Sequence, residues 1–120
     1  MFSIDSMSQI PVYEQLINQI ERFILIGALK GGDNMPSVRG LSVELSVNPN
    51  TIQKSYSELS ARGVLFAVPG KGLFVSDNAK EIIGNRRREH LDEFKKLVAE
   101  LKLAGIKPQE LKNIIDEEVL

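Results

Sequence analysis

Hydrogen-bonding side chains are concentrated in one short stretch of the sequence, SVNPNTIQKSY, residues 46–56. Asparagine and glutamine can each form two hydrogen bonds with adenine, threonine can contact a thymine methyl group or a phosphate, and lysine can reach guanine or a phosphate. The stretch therefore has the chemistry needed to bind a nucleic acid. The side chains with this chemistry belong to Asn48, Asn50, Thr51, Gln53 and Lys54.

The same stretch also contains residues that begin a helix. Asn48 is a preferred N-cap, and Pro49 suits the first helical turn, where its missing N–H group costs no hydrogen bond. The apolar residues that follow recur at the spacing of a buried helical stripe, which turns the polar residues outward. This stripe consists of Ile52, Tyr56 and Leu59. An ordinary helix start and a binding surface both explain the stretch, so both interpretations stay open at this point.

A second helix is predicted directly before this one. Ser37 suits its N-cap, and Leu41 lies on the core-facing side of a helix over residues 38–45. Because the turn at residues 46 and 47 is so short, the two helices form a helix-turn-helix candidate. Arg39 would project from the start of the earlier helix, toward a phosphate or a neighbouring base.

Elements on both sides complete the pattern. A strongly amphipathic helix is predicted after Pro11, and two β-rich runs at residues 64–68 and 73–75 flank a turn with Lys71 at its tip. The alternation of residues 2–5, FSID, predicts a short strand at the N-terminus. Three helices followed by a hairpin are typical of a winged helix-turn-helix domain, a mainly α fold with a small β-hairpin.

The remaining residues predict one long helix over 77–103 and a shorter helix that begins at Pro108, after an interruption at Gly105. Each helix has an apolar stripe. In the long helix the stripe is formed by Ile82, Ile83, Leu91, Phe94, Leu97, Val98 and Leu101, and in the short one by Leu111, Ile114, Ile115 and Val119. We therefore divide the chain into a winged domain at 1–76 and a two-helix tail at 77–120.

The apolar stripes of the tail exceed what a compact winged helix can bury, and exposed apolar surfaces of that size usually mark an interface. We expect two copies to pack these helices about a two-fold axis. The residues predicted at this dimer interface are Leu91, Phe94, Leu97, Val98, Leu101, Leu111, Ile114 and Ile115. The alternative is a long helix that folds back onto its own domain.

Composition excludes several other classes of protein. The chain has 120 residues, no cysteine, one histidine and a net charge of −1. A cofactor domain is too large for it, a thiolate metal site is impossible, and His90 has no second histidine or supporting motif, so we expect no enzyme, no metal and no cofactor. The N-terminus lacks the pattern of a signal peptide, and no run is long enough for a membrane span, which indicates a cytoplasmic protein.

The charge distribution does not itself indicate a DNA-binding protein, because such domains are usually markedly basic. Arg86, Arg87 and Arg88 form the only basic cluster. The cluster is either a phosphate-binding patch or the solvated side of the long helix, and the acidic residues that follow it favour the solvated interpretation.

Residues 11–76 resemble the DNA-binding domain of GntR-family bacterial transcription regulators. The motifs that carry this resemblance are PVYEQ, G.LK.GD.MPSVR.L, VNPNTIQKSY.EL...G and GKG.FVS. The Asn-Pro-Asn-Thr sequence, the leading IDSMSQIPVYEQ and the short helical tail are similar to the YtrA-type subfamily. Larger family members attach a ligand-binding or aminotransferase-like domain, for which this chain leaves no room.

The resemblance implies a homodimeric repressor that binds an inverted-repeat operator in double-stranded DNA and controls a nearby transporter operon. A small-molecule effector is a further possible partner, although no motif in the sequence indicates a ligand pocket. The DNA contacts implied by motif position fall on Ser37, Arg39, Asn48, Asn50, Thr51, Gln53, Lys54, Gly70, Lys71 and Gly72. The alternative function is a winged-helix module that binds proteins and not DNA, which the near-zero net charge permits.

The sequence departs from the family pattern at several positions. Gly40 stands where the family often has an acidic residue that can box the Ser37 cap, which predicts a looser helix start. Relatives outside the subfamily often carry arginine at the positions of Pro49 and Gln53, so their base preferences do not transfer. Basic residues are also missing just before the hairpin tip. We therefore expect few phosphate contacts and a modest salt dependence, about −0.9 per phosphate neutralised.

Overall fold

The computed structural model describes residues 1–118, so Val119 lies outside the described residues. Its order of elements confirms the mainly helical fold with a two-stranded antiparallel hairpin that the sequence predicts. The elements are α1 (Val12–Leu25), α2 (Val38–Leu45), α3 (Pro49–Ala61), β1 (Leu65–Val68), β2 (Gly72–Val75), α4 (Ala79–Arg87), α5 (His90–Leu103) and α6 (Pro108–Glu117). In the described part of the chain, no helix is long and apolar enough to cross a membrane.

Contacts divide the chain into two compact units, Met1–Ile83 and a second unit that begins at Gly84. The first unit includes the start of α4, because Ala79 and Ile83 are buried in its core. The contact boundary therefore lies a few residues after residue 76. The division of roles between a winged domain at 1–76 and a tail at 77–120 stays a prediction.

The core of the first unit lies among α1, α2, α3 and the hairpin. The predicted helical stripes supply it, and its most buried side chains include Leu16, Ile20, Leu41, Ile52 and Leu59. Burial of one such side chain contributes about 1.5–3 kcal/mol relative to leaving it in water. Because α1 and α3 both place aliphatic side chains in this core, their apolar faces determine how α3 is oriented.

Polar contacts also fasten α3 to its neighbours. The Arg62 guanidinium at the end of α3 contacts the buried Glu21 carboxylate of α1 at 3.3 Å and the Glu58 carboxylate at 3.0 Å. The Tyr56 hydroxyl donates a hydrogen bond to the Pro36 carbonyl oxygen at 2.8 Å, and burial raises the pKa of this phenol well above its ordinary value. These contacts hold α3 at both its middle and its end.

The turn between α2 and α3 is closed by backbone geometry at Ser46. This residue adopts the left-handed conformation, with φ 54°, and is the only non-glycine residue with positive φ among residues 1–118. The N–H groups of Ser46 and Val47 donate to the carbonyl oxygens of Val43 and Ser42, which is the hydrogen-bond pattern of a Schellman motif. The buried Ser42 hydroxyl donates back to the Val47 carbonyl oxygen and closes the turn.

The N-terminal strand predicted at residues 2–5 is wrong. This segment has no strand hydrogen bonds and instead pairs with glutamine side chains of α1. Gln15 accepts from the Asp5 N–H at 2.9 Å and donates to the Asp5 carbonyl oxygen at 3.0 Å, and Gln19 does the same with Ser3. Phe2 is buried against Phe23, which explains the alternation. The pattern therefore reflects a buried aromatic anchor.

The single long helix predicted over 77–103 is also wrong, because it is broken into α4 and α5 at Arg88 and Glu89. At the break the N–H groups of Glu89 and Leu91 bond to carbonyl oxygens three residues earlier, as in a tight turn. The sequence from Gly84 to His90 contains no apolar residue. Since helices in proteins are stabilised mainly by packing of an apolar face, nothing holds this stretch straight. The shorter helix predicted from Pro108 is confirmed as α6.

We predict that Ser46→Gly stabilises the first unit by about 0.5–1 kcal/mol. A left-handed conformation costs an L-residue about 1–2 kcal/mol, and glycine removes that cost while adding some backbone entropy to the unfolded chain. Urea unfolding followed by circular dichroism measures the change. Ser46→Ala is the matched control, since it also shortens the side chain but keeps the strain. Equal midpoints for the two variants would contradict a strained Ser46.

Candidate nucleic-acid interface

The start of α3 is exposed, and the Asn48 side chain caps it. The Asn48 side-chain oxygen accepts a hydrogen bond from the Asn50 N–H at 2.8 Å, and Pro49 occupies the first turn as predicted. Asn48 therefore has a structural role in this arrangement. The side chains of Asn50 and Gln53 are exposed and Thr51 is half-buried, so this helix end presents hydrogen-bonding groups to solvent together with the partial positive charge of a helix N-terminus.

A second helix start lies on the same unit. The Ser37 hydroxyl oxygen accepts from the Gly40 N–H at 3.0 Å and caps α2. The cap therefore forms at Gly40 without a boxing carboxylate, and a β-carbon at Gly40 would lie only 2.9 Å from the Ser37 hydroxyl oxygen. Arg39 is exposed on the first turn of α2. Its guanidinium is thus free to project from the surface, as predicted from the sequence.

The hairpin tip is a tight turn whose glycines are needed for its shape. The Lys71 N–H donates to the Val68 carbonyl oxygen at 2.9 Å, with Pro69 and Gly70 at the two central positions. Gly70 has φ 76°, which is the requirement of a type II turn at this position. Gly72 has φ 117°. The two glycines therefore shape the turn and leave Lys71 exposed at its end.

The N-terminus of α2, the outer face of α3 and the hairpin enclose one cleft of about 710 Å³. Its floor is partly apolar, with Met35, Tyr56 and Leu73 among its residues. Half of the predicted DNA-contact residues line this cleft, namely Ser37, Gln53, Gly70, Lys71 and Gly72. The hairpin and α3 thus present their polar groups toward one common space.

Gln53 has a defined orientation in this cleft. Its side-chain amide donates to the Ser57 hydroxyl oxygen at 3.0 Å, one helical turn further along α3. This contact leaves the amide oxygen and one N–H of Gln53 for a ligand. Ser57 also lines the cleft, although the sequence analysis did not include it among the contacts.

The other predicted contact residues lie outside the cleft. Lys54 is directed away from the hairpin and toward α1, where its ammonium nitrogen lies 3.8 Å from the centre of the Tyr13 ring. Arg39, Asn48, Asn50 and Thr51 also do not line the cleft. The predicted contact residues therefore form two groups, one that lines the cleft and one outside it. Helix α3 contributes residues to both groups.

Sequence reasoning missed Tyr13 of α1, whose ring contacts Lys54. Tyr13 is half-buried, and its hydroxyl donates to the Glu14 carboxylate at 3.3 Å; the negative charge of Glu14 raises the pKa of the Tyr13 phenol. One signal in the sequence could have indicated this contact: the first turn of α1, the helix that packs beside α3, carries a tyrosine and not an aliphatic residue.

No cluster of three or more potential metal ligands occurs among the described residues.

Comparisons with known proteins agree with this geometry. The family described as bacterial regulatory proteins, gntR family, matches residues 12–75. The HTH-type transcriptional repressor YtrA of Bacillus subtilis is 36% identical over 118 residues, which cover 98% of this chain and 91% of that protein. A transcriptional regulator from Oenococcus oeni has a crystal structure with TM-score 0.76, 32% identity and 95% coverage of both chains.

A further solved structure contains DNA. The AraR DNA-binding domain in complex with operator ORR3 has TM-score 0.54 and 28% identity, and the match covers 63% of this chain and 92% of that one. The family match spans more than half of this chain, and the similarity to YtrA extends through its tail. The chain therefore belongs to the GntR family of bacterial transcription regulators, with a tail like that of its YtrA-type members, and is a DNA-binding regulator and not an enzyme.

Proposed function

We propose that this chain is a homodimeric transcriptional repressor that binds an inverted-repeat operator. The observation that carries the proposal is the cleft in which the start of α2, the outer face of α3 and the hairpin tip present their polar groups together. A helix-turn-helix protein places the second helix in the major groove, with residues near its N-terminus at the base edges. The exposed start of α3 fits this arrangement, and Lys71 can then reach a neighbouring groove.

The contact residues divide into two roles in this proposal. Asn50, Thr51 and Gln53 approach base edges, since amides and threonine can discriminate bases in the major groove. Ser37 and the hairpin tip approach the phosphate backbone and fix the register, and Arg39 approaches a phosphate or a neighbouring base. Asn48, Gly70 and Gly72 contribute mainly by holding the α3 start and the hairpin turn in shape, and any direct DNA contact from them is secondary.

The second unit supports the dimer. No residue of α5 or α6 is buried, and the predicted stripe is strongly exposed, with Phe94 at 47%, Leu97 at 58% and Ile115 at 56%. Val98, Leu101 and Leu111 are half-buried. A single chain of this length gains stability if a second copy covers these side chains. The two-fold axis of such a dimer would set the half-site spacing at about 34–36 Å, one turn of DNA, or a multiple of it.

A protein bound to its operator can block transcription, so we propose that the chain is a repressor. The similar protein YtrA of Bacillus subtilis is named a transcriptional repressor, which supports this role. The AraR domain bound to an operator supports double-stranded DNA as the partner. We further propose that the chain acts in the cytoplasm, that it controls a transporter operon near its own gene, and that a small molecule modulates its activity. Deletion of the gene should raise transcripts of that operon, as measured by quantitative PCR.

We predict that Arg39→Ala and Asn50→Ala each weaken operator binding by about 1–3 kcal/mol if their side chains contact bases. Fluorescence anisotropy with a duplex selected from random DNA by the wild-type protein measures the affinities, and a scrambled duplex measures non-specific binding. Equal losses on both duplexes would assign the residue to a phosphate. Glu44→Ala is a suitable control, because Glu44 is exposed on α2 outside the contact groups.

The rival function is a protein-binding winged helix, which the net charge of −1 permits. A mobility-shift series on the DNA upstream of the chain's own gene separates the two functions. A shift at low salt that weakens as salt increases supports the repressor. No shift at any salt concentration favours the rival and overturns the proposal.

We predict that Leu97→Asp or Leu101→Asp converts the dimer to a monomer and lowers operator affinity. Each change places a carboxylate in the apolar stripe, where its burial would be costly. Light scattering at micromolar concentration measures the mass. Lys96→Asp is the control, since it adds a carboxylate on the face of α5 opposite the stripe and leaves the predicted interface intact. An unaltered mass for both stripe variants would refute the role of the tail.

A further inference from the structure

The side of α3 that faces α1 forms a second groove, which meets the cleft at Ser57. It has a volume of about 580 Å³ and is lined by Tyr13, Glu14, Lys54, Glu58 and Arg62, among others. Its two carboxylates already have partners, because Glu14 accepts from the Tyr13 hydroxyl and Glu58 from Arg62. Arg62 is paired with Glu58 and Glu21, whereas the ammonium of Lys54 has no carboxylate at ion-pair distance among the described residues.

Lys54 is held by an aromatic ring. Its ammonium nitrogen lies 3.8 Å from the centre of the Tyr13 ring, well within the range of a cation–π interaction. Among residues 1–118, Lys54 makes no ion pair. A ring orders a cation without forming an ion pair with it, so the ammonium can still bind an anion. The contact thus orders a flexible side chain without neutralising it.

The backbone beside this contact is also fixed. The hydroxyl of the fully buried Ser55 donates to the Tyr13 carbonyl oxygen at 2.8 Å. The Tyr13 ring belongs to α1 and the Lys54 side chain to α3, and the two helices are hydrogen-bonded at Ser55, the residue after Lys54. Since Gln53 lines the cleft on the hairpin side, adjacent residues of α3 lie on different flanks of the helix.

We propose that Tyr13 is a positioning residue that holds Lys54 against a backbone phosphate at the α1 flank of α3, and that Lys54 therefore does not read a base. This inference rests on the proposed function, because it requires α3 to lie in a DNA groove. A pre-ordered lysine loses less conformational entropy when it binds its phosphate. The phosphate contact of Lys54 fixes the register of α3, and the neighbouring amide of Gln53 carries the specificity.

The test measures binding of the selected operator duplex and a scrambled duplex over a salt series. Lys54→Met removes the charge and keeps the stem, and should weaken both duplexes equally while lowering the salt slope by about 0.9 per protomer. Tyr13→Leu should weaken both by about two- to fivefold, the size of an exposed cation–π contact. Tyr13→Phe keeps the ring and should restore wild-type binding. Gln53→Ala is the contrast, and should lower the operator-to-scrambled ratio.

The double variant Tyr13→Leu/Lys54→Met decides whether Tyr13 acts through Lys54. It should bind no more weakly than Lys54→Met alone, because the ring then has no cation to position. An additional two- to fivefold loss in the double variant would overturn the inference, since Tyr13 would then act on its own or through the stability of α1. Tighter binding by Tyr13→Leu would also overturn it, since the ring would then be withholding the lysine from DNA.

A measurement without DNA separates this inference from the proposed function. In the free protein the ring should shift the ε-CH₂ proton resonances of Lys54 upfield, and the shift should persist in Tyr13→Phe and vanish in Tyr13→Leu. If the wild-type protein shows this shift but selects no DNA sequence, the proposed function is wrong, and the phosphate contact proposed for Lys54 is wrong as well. If it selects an operator but lacks the shift, only the positioning role fails.

Discussion

The interface described above depends on how α3 is joined to α1. A hydroxyl at a fully buried position costs about 1–3 kcal/mol if it has no hydrogen-bond partner, and the buried Ser55 hydroxyl finds its partner in the Tyr13 carbonyl oxygen of α1. This bond favours one axial register between the two helices, although the same hydroxyl also lies 3.4 Å from the Thr51 carbonyl oxygen of its own helix. The aliphatic core and the ion pair of Arg62 with Glu21 then hold that register along the helix. The apolar residues of α3 face this core, and its polar residues are left exposed on the outer face.

The fixed register determines which partner each polar residue of α3 meets. Gln53 lies in the cleft beside the hairpin, whereas Lys54, one residue later, lies over the Tyr13 ring. Successive residues of a helix point about 100° apart, so neighbours in sequence serve different flanks. A change in the α1–α3 register would move both side chains together. The exposed face of α3, which we propose contacts DNA, is therefore a consequence of core packing as much as of its own polar residues.

The sequence predicts the elements well where a residue's local chemistry is sufficient. The cap at Ser37, the Asn48-Pro49 start, the stripe of α3 and the hairpin turn all follow from preferences that act within a few residues, and the structure has them at these positions. The family motifs add the DNA-binding function. None of these predictions required knowledge of which elements touch in space.

The wrong predictions concern segments whose partners are distant. The alternation of residues 2–5 suits a strand, but the segment has glutamine side chains of α1 as partners in place of a second strand. The apolar stripe used to predict one helix over 77–103 has no member at residues 84–90, so nothing packs there and the helix breaks. The same limit hid the contact of Tyr13 with Lys54, because it joins residues of two different helices. Local patterns identify a residue's type of environment, and only packing identifies its neighbour.

Near-zero net charge makes this placement of single cations more important than it is in a basic DNA-binding domain. With a net charge of −1, the chain as a whole exerts little attraction on a polyanion. In the proposed complex, each phosphate contact must then come from an individual cation, such as the exposed Lys71 or the ring-held Lys54. Such a protein would gain little affinity for random DNA, so a larger share of its binding energy would have to come from base contacts of α3. A small number of well-placed cations thus favours selectivity at the expense of non-specific affinity.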